Sequence, residues 1–380
     1  MSAASGSDGR AGSGASSGPE NATPAAPTAG TDSGATSPLR IAILNFSSQW
    51  FIVPQGAGIT ALVLHQLDYR FQGQQTIAYV ISAFTALSLA LSLVVYLVRT
   101  ALYPRHVAAK LSQNVIEVAC LSSISIAFTS LIQMLALALG ENHDWGLAVC
   151  ILWWINAVLA LAATIVVPYV FVVIRPPGVS ELPPAALLPF IAAITLAAGG
   201  GVVGQMTSIG IEARAPILLV SFLFLGIGMP LALLLSTAYL VRLLDRAPAV
   251  GEKVYQEMIL CGPWGQGSFA LQALAKVLVQ EGPSLTAYSP GVVFSQVATA
   301  IVGYESMFLG FISWGQGTFW WLFAITSILH SHCSSRKRQS SKRIPYNLAE
   351  WSMVFPWVSG RWKMAEMGTH LLCCRFLTRR

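Results

Sequence analysis

Glu117, Glu257 and Glu305 stand in or beside long apolar stretches, which makes them the first candidates for chemistry. An ionisable side chain inside a membrane span is costly and marks a functional site by default. Glu117 and Glu257 come near the starts of their stretches, where a helix N-terminus and interfacial water can hold a carboxylate. Glu305, in Gly303-Tyr304-Glu305-Ser306, lies deeper and reads either as a locally hydrogen-bonded group or as a functional one. No histidine falls near the middle of an apolar stretch, and H-E-x-x-H, G-x-S-x-G and P-loop patterns are missing. Cysteines at 120, 150, 261, 333, 373 and 374 form no C-x-x-C pair. The inventory argues against an enzyme and against any metal or organic cofactor.

The apolar stretches carry small and hydroxylic residues instead. Gly56 and Gly58 follow Pro54, Ser122, Ser123, Ser125, Thr129 and Ser130 cluster in the third stretch, and Gly199-Gly200-Gly201 sits in the fifth. The seventh contains Gly262-Pro263-Trp264-Gly265-Gln266-Gly267-Ser268, and Gly315 and Gly317 follow later. Two physical readings stand side by side. Small residues let helices pack closely. They also leave space along a shared axis, where broken helices expose N–H groups that bind an anion without a buried cation. On the second reading the substrate path runs past Gly56, Gly58, Ser122, Ser123, Gly199, Gly200, Gly265, Gln266 and Gly267.

These residues need helices to hold them. Apolar residues make up 54% of the 380 positions and charged ones 10%, against about 25% charged in soluble domains. Lipid is therefore the main solvent. Spans are predicted near 42–65, 77–101, 115–139, 147–174, 185–207, 216–241, 255–279, 291–312 and 316–332, with a short tenth at 348–359. Residues 1–38 are low in large apolar side chains and are predicted to be a disordered tail. The net charge of +6 divides into −2 over residues 1–330 and +8 over 331–380, so nothing points to a nucleic-acid partner. Arg99, Arg105, Lys110, Arg175, Arg242, Arg246 and Lys253 fall in alternate loops, which predicts a cytoplasmic N-terminus. The run Arg336-Lys337-Arg338 and Lys342-Arg343 then falls on the wrong side, and 333–380 reads as a basic, atypical segment after a transporter domain at 41–332.

Gln49-Trp50-Phe51 with Gly56-Ala57-Gly58-Ile59 resembles the opening helix of the tellurite-resistance/dicarboxylate transporter family. Arg99 with Leu102-Tyr103-Pro104-Arg105 is similar to the loop after its second helix. The stretch from Cys261 to Ala270, G-P-x-G-Q-G at its centre, resembles the seventh helix of fungal sulfite efflux pumps and malic acid transporters. Trp314-Gly315-Gln316-Gly317-Thr318-Phe319-Trp320-Trp321 looks like the start of the ninth helix of the sulfite-pump branch. The resemblance covers roughly 45–330, with a fragment at 348–357. It implies an all-α integral membrane fold of about ten helices in five hairpins around a central pore, the tenth irregular here. It also implies a homotrimer in the lipid bilayer and odd helices lining the pore. An aromatic side chain on the ninth helix would plug that pore, with Phe319 and Phe323 as gate candidates. The expected function is transport of a small anion, sulfite or bisulfite first and a C4-dicarboxylate such as malate second. A receptor or scaffold without transport would need larger ordered loops than this chain offers.

Overall fold

The computed structural model describes residues 38–67, 70–173, 178, 181–206, 208–245, 251–288, 295–337 and 348–356. The expected N-terminal tail, Arg175, Arg246 and the positions beyond Pro356 lie outside the described residues. The helices are α1 (Pro38–Asn45), α2 (Ile52–Gln66), α3 (Gln74–Leu102), α4 (Pro104–Gln113), α5 (Val115–Ala119) and α6 (Ser122–Leu139). They continue as α7 (His143–Val173), α8 (Leu188–Val203), α9 (Ile211–Asp245), α10 (Gly262–Tyr288) and α11 (Gln296–Lys337). Among the described residues there is no strand, and six helical stretches are long and apolar enough to cross a membrane.

Packing sorts the helices into two layers. α2, α6, α8 and α10 pack in sequence, α2 on α6, α6 on α8 and α8 on α10. Leu348–Met353 seats between α2 and the segment Gly251–Cys261 that leads into α10, closing the ring at one end. Outside it, α3 packs on α2, α7 on α6, α9 on α8 and α11 on α10. Every residue of α8 is buried, whereas α3 turns Val80, Leu87, Leu91 and Leu97 outward. Such apolar faces would be a liability in water and are at home in lipid.

Each inner element is entered through an irregular turn at the same end of the bundle. The turns are Ser48–Phe51, the break at Cys120–Leu121 between α5 and α6, Pro184–Leu187, Gly251–Cys261 and Leu348–Met353. Pro54, Pro189, Pro263 and Pro356 then sit in the first turn of the helix that follows. Proline is tolerated there because its missing N–H has no intrahelical partner to lose. The inner helices therefore run parallel, with their N-terminal ends gathered together.

The three glycines of α8 explain its central place. A Cβ on Gly199 would lie 2.7 Å from Thr129 of α6, and one on Gly201 would lie 2.7 Å from Ala273 of α10. A Cβ on Gly200 would collide with Ser221 of α9. Successive residues turn by 100°, so three adjacent glycines admit three neighbours at once. Gly201→Leu is expected to cost about 3 kcal/mol or more through overpacking. A fall in the thermal unfolding midpoint in detergent checks this, and an unchanged midpoint would contradict the close approach.

One span expectation is corrected. Residues 291–312 and 316–332 were separated in the sequence at Gly315-Gln316-Gly317, but Gln296–Lys337 is one continuous helix. Gly317 serves packing, since a Cβ there would lie 3.1 Å from Trp264 Cβ. Glycine weakens a helix by about 1 kcal/mol, and two glycines alone do not supply a hairpin turn. Leu348–Pro356 consequently takes the ninth place rather than the tenth. The end of α11 also meets the end that carries Arg99 and Arg242, through Tyr255 Oη and His332 Nε2 at 3.3 Å. The backbone at the end of α11 thus lies on the side of Arg99 and Arg242, while Arg338, Lys342 and Arg343 lie outside the described residues.

Candidate functional site

Hydroxyls on α6 divide into two sets. Ser125 Oγ donates to Asn156 Oδ1 at 2.9 Å, and Asn156 Nδ2 donates to Thr129 Oγ1 at 2.7 Å. Ser130 Oγ donates to the Ile126 carbonyl at 3.3 Å. These three are satisfied within the protein. Ser122 and Ser123 are fully buried, and their hydroxyls have no partner. The same holds for Thr195 Oγ1 on α8, and for the side-chain oxygens of Gln55 on α2 and Gln266 on α10. A buried polar group left unpaired costs about 1–3 kcal/mol. All four inner helices carry one, as do the outer helices α3 at Tyr96 and α9 at Ser236, and water, an ion or strain accounts for groups of this kind. Gln133, about 15 Å further along α6 at 1.5 Å per residue, adds a second unpartnered amide.

Phe355 packs at the N-terminal end of the inner helices. Its side chain is 1% exposed and shares a small cavity with Ile52 and Gln55 of α2, Leu188 and Ile191 of α8, and Ile259. Three members of the inner ring thus meet on one ring face. A Cβ on Gly262 would lie 3.2 Å from Ile191 and in ordinary contact, at 3.8 Å, with the Phe355 ring. This socket is mostly apolar, with Gln55 and Ser352 as its polar members.

The remaining expected path residues sit elsewhere. Gly58 faces Ser130 and Thr85, while Gly199 and Gly200 face Thr129, Trp153 and Ser221, all at helix contacts. Gly56 meets Val354 and Trp351 of the closing segment. Gly265 is buried beside Gly317 of α11, and a Cβ on Gly267 would collide with the Met229 sulfur. Phe319 is 47% exposed on the outer helix α11, in contact with Trp320 and the half-buried Phe323. Glu305 lies on a side cavity of about 620 Å³ between α9, α10 and α11, with Met229, Trp264 and Ser313.

Buried charge is kept at the two ends. Arg99 pairs with Glu117 at 3.0 Å, and Arg214 with Glu281 at 3.6 Å. Glu117 and Glu257, near the starts of their helical elements, are 3% and 0% exposed. Among the described residues, no group of three or more His, Cys, Asp or Glu gathers to hold a metal. The middle of the ring presents hydroxyls, amides and carbon.

A ring of parallel inner helices with a neutral polar lining suits an ion that must pass without being trapped. A profile of the SLAC1 voltage-dependent anion channels matches residues 45–378. The chain belongs to that family. As a SLAC1-family protein it is an all-helical membrane protein that transports anions, which bears out the resemblance carried by the G-P-x-G-Q-G stretch. The sulfite efflux pump SSU1 of Arthroderma otae is 28% identical over 318 residues, covering 83% of this chain and 80% of that one. The SSU1 pump of Trichophyton rubrum is 28% identical over 323 residues, with the same coverage. An uncharacterized transporter of Methanocaldococcus jannaschii is 24% identical over 317 residues, covering 83% and 82%.

Within the SLAC1 frame, Ser122, Ser123 and Gln266 are the sequence candidates that join the unpartnered polar set. Gln55, Thr195, Gln133 and Phe355 were not singled out. Gln55 was within reach, one residue after Pro54 and one before Gly56. Phe355 was hidden by the misplaced ninth helix.

Proposed function

We propose that this protein exports sulfite or bisulfite across the plasma membrane, with its N-terminus and basic loops on the cytoplasmic side. The observation that carries the reading is that each inner helix holds a buried, unpartnered polar group, at Gln55, Ser122, Ser123, Thr195 and Gln266, with Phe355 packed at the N-terminal end of these helices. Hydroxyl and amide groups bind a small oxyanion weakly, and weak binding lets it leave again. The buried basic side chains among the described residues, Arg99 and Arg214, are both ion-paired at the ends of the bundle. A dicarboxylate carries two separated charges and would need such a cation in the path. The N-terminal ends of the inner helices gather at the basic end, and their positive dipoles draw anions in from there. Phe355 closes that mouth, and the apolar outer faces serve lipid and neighbouring copies in a homotrimer.

The test is anion flux from proteoliposomes at a set membrane potential, comparing sulfite with malate. Sulfite flux without malate flux is the expected result. Malate flux equal to or above sulfite flux would overturn the choice of substrate.

A further inference from the structure

Two polar clusters outside the unpartnered set are built from the same four residues. Tyr96-Leu97-Val98-Arg99 lies near the end of α3, and Tyr239-Leu240-Val241-Arg242 near the end of α9. In both, the arginine lies over the tyrosine ring, at 5.7 Å and 5.0 Å from the centroid. Both motifs reach a buried glutamate at the start of the next inner element. Arg99 Nη1 donates to Glu117 Oε1 at 3.0 Å, and Tyr239 Oη donates to Glu257 Oε1 at 3.3 Å.

What the clusters hold matters more than that they repeat. Glu117 Oε2 accepts from Ser47 Oγ at 2.5 Å, its Oε1 from Ser48 N at 3.2 Å, and its carbonyl from Ser48 Oγ at 2.6 Å. Ser47 and Ser48 lead directly into α2, which supplies Ile52 and Gln55 to the Phe355 socket. Glu257 sits in the segment that supplies Ile259 and whose Tyr255 carbonyl accepts from Ser352 Oγ at 3.2 Å. Arg242 Nη1 donates to the Leu182 carbonyl at 3.0 Å, just before the turn into α8, which supplies Leu188 and Ile191. The walls of the socket on α2, on α8 and on Gly251–Cys261 therefore hang from these two clusters.

We infer that the duplicated Tyr-x-x-Arg and glutamate clusters are positioning groups that keep the Phe355 socket closed. The inference rests on Phe355 acting as the gate. Such a clamp holds two segments in one arrangement, and loosening it shifts the balance toward the open state.

The experiment measures sulfite leak in proteoliposomes with equal amounts of folded protein, for Glu117→Gln and Glu257→Gln in the native and the Phe355→Ala backgrounds. Ser47→Ala and Tyr239→Phe serve as milder variants, because each removes one hydroxyl and leaves every charge in place. Leak is expected to rise about fivefold or more in the native background, within the range of ordinary coupling between sites. In the Phe355→Ala background it is expected to change less than about twofold, since the coupled partner is gone. The exchange Arg99→Glu with Glu117→Arg is expected to restore part of the low leak. Native leak in all four variants would overturn the inference, and so would an equal rise in both backgrounds. Phe355→Ala alone reports on the gate, so a failure of that reading is separable from a failure of the clamps.

Discussion

Phe355→Ala is expected to raise sulfite flux about tenfold or more, equivalent to ~1.4 kcal/mol of lost closed-state preference. The phenyl group is almost fully buried among Ile52, Leu188, Ile191 and Ile259, with hardly any free volume around it. Interior packing of that kind excludes water and ions alike, so removing the ring opens the N-terminal end of the inner helices to the basic mouth. A buried Phe→Ala change also costs about 3–5 kcal/mol of stability, so flux is normalised to correctly folded protein. Phe355→Leu keeps most of the volume and is expected to remain near the native flux. Phe319→Ala and Phe323→Ala, on the outer helix α11, are expected to stay within about twofold, because neither contributes to the socket. Native flux from Phe355→Ala would remove it as a gate.

The two-layer fold was legible because bilayer physics writes long signals. Twenty apolar residues declare a span, and small residues on alternate spans fit either close packing or an inner ring. The chemistry was harder. Gly199, Gly200 and Gly201 looked alike in the sequence, yet they face three different helices, and only the packing reveals that. Ser122 and Ser125 also looked alike, and what separates them is Asn156 on α7, which satisfies Ser125 and leaves Ser122 unpaired. The division at Gly315 failed because a glycine that relieves crowding against Trp264, as Gly317 does, reads the same as one that breaks a helix. That division also drew attention to Phe319 and Phe323 on α11 and away from Phe355 on the closing segment. The repeated Tyr-Leu-Val-Arg was in plain sight, but its meaning depends on Glu117 and Glu257, which reach it only in the fold.

Thr195→Val and Gln266→Leu are expected to separate flux from stability. The Thr195 hydroxyl is buried without a partner, and valine replaces it with a methyl group of nearly the same size. Losing an unsatisfied polar group leaves stability unchanged or raises it by about 1 kcal/mol. The sulfite path loses a hydroxyl at the same stroke, and flux is expected to fall about tenfold, the worth of one hydrogen bond to a charged partner. Gln266→Leu removes a whole amide from the unpartnered set and is expected to fall at least as far. Ser125→Ala provides the opposite pattern. It strips Asn156 of a hydrogen bond inside the bundle, so the unfolding midpoint should drop while flux per folded protein holds. If Thr195→Val and Gln266→Leu instead lowered the midpoint and left flux intact, these groups would belong to the packing between helices. The anion would then have to follow another route past Phe355.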